Sequence, residues 1–164
     1  MEVINKRQIE DDNWQHIADD EDVEQLPAGK IIVSLPFWNT NKTALHQRGA
    51  ALGIRLSPED DVSDIVADLP NFEIIALQFP SFRDGRAYSQ ARNLRQHHNY
   101  QGELRATGNV LRDQLMYMER VGFDSFEIDT KQDIHDALKA FDEIGIKYQV
   151  SSDEPLPLYK RRTA

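Results

Sequence analysis

The run FEIIALQF, Phe72–Phe79, followed at once by PSFRDGRAYSQARNLR, Pro80–Arg95, decides how the chain is read. A near-continuous apolar run of this length reads as a strand covered on both faces, the signature of a parallel sheet flanked by helices. A helix is expected from about Arg86 to His98, and GELRAT, Gly102–Thr107, reads as the next strand. Two strands joined by one helix run parallel, with a right-handed crossover. Phe72–Phe79 and Gly102–Thr107 are therefore expected as adjacent central strands.

The pattern repeats outward in both directions. Upstream, Lys30–Trp38 reads as a strand that Pro36 should end, Asn41–Ala50 as a short helix and Ala51–Ser57 as a strand. Ser57 and Pro58 look like an N-cap and first helical residue. The helix they open, Glu59–Leu69, places Val62, Ile65, Val66 and Leu69 at helical spacing. Downstream, Val110–Val121 carries a helical stripe of Leu111, Leu115, Met118 and Val121, and Phe123–Ile128 reads as a short strand. Thr130 with Asp133 resembles a capping box for a helix that buries Ile134, Leu138, Phe141 and Ile144 and ends at Gly145. Ile146–Ser151 would be the last strand.

The fold class expected is α/β, with alternating β-α units and a mainly parallel sheet. Periodicity leaves open whether the sheet is an open three-layer arrangement or a partial barrel. Residues 1–28 read as a polar, acidic lead-in whose Asp19–Asp22 run is solvated, 29–151 as a single α/β domain, and 152–164 as a C-terminal tail.

A chain of 164 residues suits one domain with a real core. No apolar run approaches a membrane span, and the acidic N-terminus is not a secretory signal. The absence of cysteine closes disulfides, thiolate catalysis and cysteine-ligated iron–sulfur centres, and fits a cytoplasmic protein. A net charge of -9 argues against general nucleic-acid binding. No P-loop, dinucleotide fingerprint or metal-ligand pattern is present. No metal is expected, and no cofactor is identified.

Charge is unevenly spread. Phe79–Val121 holds seven arginines against four carboxylates, inside an otherwise acidic chain. A local positive centre of that kind suits a small anion better than a polymer. In parallel α/β architectures ligands bind where strands end and helices begin. There, Arg83 and Arg86 flank Asp84 and Gly85, and the next loop carries Gly108, Asn109, Arg112 and Asp113. Bidentate guanidinium groups grip carboxylates and oxyanions, and glycine lets the backbone come close. Arg83, Gly85, Arg86, Arg105, Gly108, Asn109 and Arg112 are thus the candidate ligand-binding residues, and Asp84 and Asp113 the candidate catalytic ones. The competing reading is a plain Asp-Gly turn with ordinary ion pairs. Arg92 and Arg95 read as helix-surface or salt-bridge groups, Ser89 as a helix residue without a nucleophile signature, and His97-His98 as a polar helix end.

These two loops also carry a resemblance. Phe79, Pro80, Phe82, Asp84, Gly85, Arg86, Tyr88, Ser89, Ala91, Leu94 and Arg95 match the first block of the bacterial family known as domain of unknown function 934. Gly102–Ala106, Gly108, Val110–Gln114 and the Gly122-Phe123-Asp124 turn match its second block. The likeness spans about residues 25–150. It departs at Asn109, where the family commonly has an acid, and a neutral amide there weakens a general-base role. The resemblance implies a place beside assimilatory sulfite reductase and an oxidoreductase link to sulfite reduction. It brings no established catalytic residue.

Three readings follow. The first is an accessory protein of sulfite or sulfate reduction whose Arg/Asp rim binds a small oxyanion or anionic cofactor. The second is an enzyme with Asp84 or Asp113 as general base. The third is a protein-interaction module that docks on the sulfite reductase assembly. Carboxylates of raised pKa in a deep pocket would favour the enzyme. A shallow rim whose arginines are already paired would favour the interaction module.

Overall fold

Trp14, Lys30, Ile32, Gly53, Ile74 and Arg105 come from five strands and share one face of one sheet. A computed structural model describes residues 1–142 of the chain. Its elements are β1 (Glu2–Asn5), β2 (Gln8–Asp11), β3 (Trp14–His16), β4 (Lys30–Ser34), α1 (Leu35–Gln47), β5 (Leu52–Leu56), a 3-10 stretch (Val62–Asn71) and β6 (Ile74–Phe79). There follow α2 (Arg86–Arg92), which continues as a π turn (Asn93–His97), and β7 (Glu103–Gly108). A 3-10 turn (Arg112–Gln114) then leads into α3 (Leu115–Val121), ahead of β8 (Ser125–Phe126) and α4 (Ile134–Lys139). The expected strand Ile146–Ser151, with Ile144, Gly145 and the tail, lies outside the described residues.

The eight strands form one sheet in the order β2-β1-β8-β7-β6-β5-β4-β3. β6 and β7 are parallel neighbours, Ile74 facing Glu103 and Phe79 facing Gly108, as the sequence pattern requires. The sheet as a whole is mixed, which corrects the expectation of a mainly parallel one. The reason is the N-terminus. Residues 1–28 supply three strands, of which β1 pairs antiparallel with both β2 and β8 while β3 pairs parallel with β4. Val3 and Ile4, fully buried, hold this segment to the core. Asp19–Asp22, by contrast, is solvent-exposed as expected.

The sheet is also curled, in the manner of a half-barrel. Four strands separate β3 from β8 in the sheet order, so a flat sheet would hold them about 24 Å apart. His16 at the end of β3 nevertheless reaches Glu127, just past β8, with Nε2 2.8 Å from Oε1. Only Asp12 and Asn13 separate β2 from β3, so the two ends of the strand order are joined through the chain itself.

Strand alternation sorts the side chains by face. Ile31, Val33, Ile54, Leu56, Ile75, Leu77, Phe79, Leu104, Ala106 and Phe126 point outward, into the main core shared with Trp38, Ile65, Leu94, Leu115 and Met118 on the flanking helices. Ile32, Ile74 and Ala76 point inward with Trp14 as a second, smaller cluster. The apolar continuity of Phe72–Phe79 thus has the cause assigned to it, burial on both faces.

Local chemistry moved several boundaries. Pro36 does not merely end a strand; it sits in the first turn of α1, whose N-cap Ser34 accepts a hydrogen bond from the Phe37 N–H. Ser57 does not cap a helix. Its N–H and hydroxyl both donate to the Asp60 carboxylate, closing a turn, and Asp61 caps the 3-10 stretch instead. The 3-10 turn after β7 takes Leu111 as its N-cap. Asp133, not Thr130, caps α4.

Candidate functional site

The loop Pro80–Gly85 leaves β6 at its carboxyl end, and Asn109–Leu111 leaves β7 beside it. The two loops are adjacent because their strands pair through Phe79 and Gly108. Gly108 has φ +89°, and a Cβ there would lie 2.5 Å from the Phe79 carbonyl oxygen. That is a close approach only glycine permits. Gly85 is different. Its φ is -93°, and a Cβ there would meet nothing nearer than Tyr88 Cδ2 at 3.7 Å, so neither positive φ nor tight approach explains it.

Asp84 and Arg86 close on each other. The Arg86 Nε and Nη2 groups donate to the two Asp84 oxygens at 3.0 and 2.6 Å, and the Arg86 backbone N–H donates to Oδ1 at 3.2 Å. A second carboxylate, Glu59, stands 2.9 Å from Arg86 Nη2. The Arg86 guanidinium, through its side-chain hydrogen bonds, holds the Asp84 carboxyl below the usual carboxylate range, and Asp84 in turn raises Arg86. A carboxylate held in its ionised form this firmly is a weak general base. In Arg86→Ala the Asp84 carboxyl should therefore titrate at higher pH than in the parent. The Asp84 13Cγ shift followed by NMR against pH checks this, an unchanged midpoint counting against the pairing. Asp84 belongs to the depressed-pKa class, so whatever stability the contact adds is present above the unfolded pKa and fades as pH falls through the folded one.

Arg112 also turns away from the loops. Its Nε lies 2.9 Å from Asp136 Oδ2 and donates to the Asp136 carbonyl, while its backbone N–H donates to Gln132 Oε1. Asn109 is half-buried with its N–H donating to the Phe79 carbonyl. Asp113 is exposed on the surface near Tyr88. Tyr88 packs edge-on to Phe79 and against Phe123 and Tyr117, and burial pushes its hydroxyl up to about 12. Tyr117 beside this ring (51% exposed), and Phe82 (54% exposed) and Arg83 on the loop after β6, stand in solvent. Neither Arg83 nor Asp113 has an ion pair among the described residues. The loops therefore come together, but their guanidinium groups do not converge on a common point.

Arg105 is farther still from a rim role. It is 1% exposed on the concave face of β7. Its Nη1 donates to both Asp12 oxygens at 2.9 and 3.0 Å, its Nη2 to Glu103 at 3.0 Å and its Nε to Ser125 Oγ at 2.9 Å, with Glu127 at 3.4 Å. Burial works against its charge, but Glu103 and Asp12 together outweigh it and hold the guanidinium pKa above the ordinary value.

The concave face holds what sequence reasoning missed. Glu127 is shared between Arg105 and His16, a histidine–carboxylate pair of the kind that can accept and pass on a proton. His16 and Asp12 sit in the segment read as lead-in, so no local signal marked them. On the strands there was one. Arg55, Gln78 and Thr107 are polar residues alternating with apolar ones at strand ends, which places them on the inner face. Among the described residues no group of three or more His, Asp or Glu side chains is arranged to hold a metal ion. None of their helices is long and apolar enough to cross a membrane.

At the opposite end of the strands lies a cavity of about 820 Å³ beside Lys6, Arg7, Arg95, Asn99 and Asp124. Arg95 is committed there, donating to the Gly122 and Gly102 carbonyls and pairing with Asp124. That staple accounts for the Leu94-Arg95 and Gly122-Phe123-Asp124 portions of the sequence blocks.

A family model described as "Bacterial protein of unknown function (DUF934)" matches residues 53–159. The match begins later than the expected span of about residues 25–150 and runs past its end, into the tail at 152–164. No curated protein matches the chain.

Proposed function

Because the chain belongs to the DUF934 family of bacterial proteins, we propose that it is a non-catalytic accessory protein of assimilatory sulfite reduction. In this reading it docks on the sulfite reductase assembly through the loops after β6 and β7. The observation that carries the docking mode is the state of the arginines. Arg86 is bound by Asp84 and Glu59, and Arg112 by Asp136. An incoming small anion would have to displace carboxylates already at hydrogen-bond distance. What the two loops offer instead is Phe82 and Arg83 in solvent, and Tyr117 in solvent against the half-buried Tyr88. Aromatic and arginine side chains of this sort are the ones that dominate binding energy at protein interfaces. The partner is drawn from the resemblance of the two loop blocks to a family associated with sulfite reductase.

The expected result is salt-sensitive association of the purified chain with the reductase assembly. Phe82→Ala and Tyr117→Ala should each weaken it by about tenfold or more, since a hot-spot anchor contributes about 2 kcal/mol or more. Both side chains are exposed, so the unfolding midpoint of the free protein should barely move. Deleting the gene should impair growth on sulfate, with rescue by sulfide. Normal growth of the deletion strain, together with no association at low salt, would remove the support for this function.

A further inference from the structure

We propose a second, separate site: an oxyanion-binding surface on the outer face of α2 and its π turn, formed by Ser89, Arg92, Asn93 and His97. These four residues line a shallow, open depression of the surface. A hydroxyl, a guanidinium, an amide and an imidazole meet there, every one able to donate a hydrogen bond, and no carboxylate is among them. In a chain of net charge -9 that is an unusual surface. Arg92, like Arg83 on the rim, is uncommitted among the described residues. Arg86, Arg95, Arg105 and Arg112 are held by carboxylates or carbonyls, whereas Arg92 has no hydrogen bond or ion pair among the described residues.

The backbone explains why the four side chains share one face. Ala87, Gln90, Ala91 and Leu94 are buried against the sheet, which turns Ser89, Arg92 and Asn93 outward. After Arg92 the helix widens, and the His98 N–H donates to the Asn93 carbonyl five residues back at 3.2 Å. Asn93 and His97, four residues apart, keep one face through this turn. Single π turns of this kind recur at functional sites. A helix end is normally poor ground for an anion because its last carbonyls face outward. Here two of them are taken up, the Asn93 carbonyl by the His98 N–H and the Leu94 carbonyl by the Tyr100 N–H at 3.0 Å. Arg92 supplies the charge, and Ser89 and Asn93 supply neutral donors beside it. The fitting ligand is a phosphate- or sulfate-like oxyanion, either free or as the terminal group of a phosphomonoester.

The test is an amide NMR titration of the full chain at constant ionic strength, made with chloride. Three probes are used in parallel: inorganic phosphate, inorganic sulfate and ribose 5-phosphate. Saturable shifts are expected at Ser89, Asn93 and His97. Arg92→Gln should weaken binding by about tenfold or more, because a charge-assisted hydrogen bond is lost. His97→Gln should weaken it less, and Arg83→Gln on the rim should leave it unchanged. Tighter binding of ribose 5-phosphate than of the inorganic ions would assign the site to organic phosphates, and equal binding to the free ion. Linear, non-saturating shifts with all three probes would overturn the site. So would an affinity unaffected by Arg92→Gln in a variant whose amide spectrum shows it folded.

Discussion

Replacing Arg105 with alanine should destabilise the protein by about 3–5 kcal/mol, the range found when one partner of a buried ion pair is removed. Arg105 is 1% exposed and sits among Asp12, Glu103 and Glu127. Without it three carboxylates face one another on the concave side of the sheet, and two of them lose their only cation among the described contacts. The cost arises from that uncompensated charge, not from lost packing alone. Arg105→Met, similar in length, should be nearly as damaging for the same reason. The double change Arg105→Met with Asp12→Asn should recover part of the loss. Chemical denaturation of the four proteins measures this directly. An Arg105→Ala midpoint close to that of the parent would mean that the cluster is not buried as described.

The second large effect belongs to Gly108. Gly108→Ala should cost about 2 kcal/mol or more. A non-glycine residue in left-handed backbone pays about 1–2 kcal/mol on conformational grounds, and here the added Cβ would also lie 2.5 Å from the Phe79 carbonyl oxygen. That oxygen accepts the Asn109 N–H at 2.8 Å, so it cannot withdraw without losing the bond that joins the two loops. Gly85→Ala provides the contrast. It stands at φ -93°, where a Cβ would make only an ordinary contact with Tyr88 at 3.7 Å, and its substitution should be nearly neutral. Thermal unfolding of the pair separates the two glycines. Equal losses at both would contradict the geometry assigned to the rim.

The two glycines show what was legible in the sequence and what was not. Both sit at the same kind of place, a strand end followed by a helix, and both invited the same interpretation. Only the backbone distinguishes them, through the neighbour each would strike. The central strands were legible because burial on both faces leaves a one-dimensional trace in FEIIALQF. The parallel pairing of β6 and β7 followed from the single helix between them. The N-terminal strands left no such trace. Their inward residues include Trp14, His16 and, beyond β2, Asp12, so polarity within a concave interior looked like solvation. The Arg/Asp content of the two loops is plain in the sequence, but composition does not say which carboxylate takes which guanidinium. Asp84, two residues from Arg86, took one internally, and Asp136, on α4 and 24 residues beyond Arg112, took another.

Docking through the loops after β6 and β7, as proposed, leaves a different footprint from an anion clamp. Backbone hydrogen exchange of the chain, alone and with the sulfite reductase assembly at low salt, reads that footprint. Docking there predicts slowed exchange confined to residues 80–88 and 112–120, centred on Phe82 and Tyr117. Protection that falls instead on the far end of the strands, around residues 5–7 and 95–103, or no protection anywhere, would contradict it.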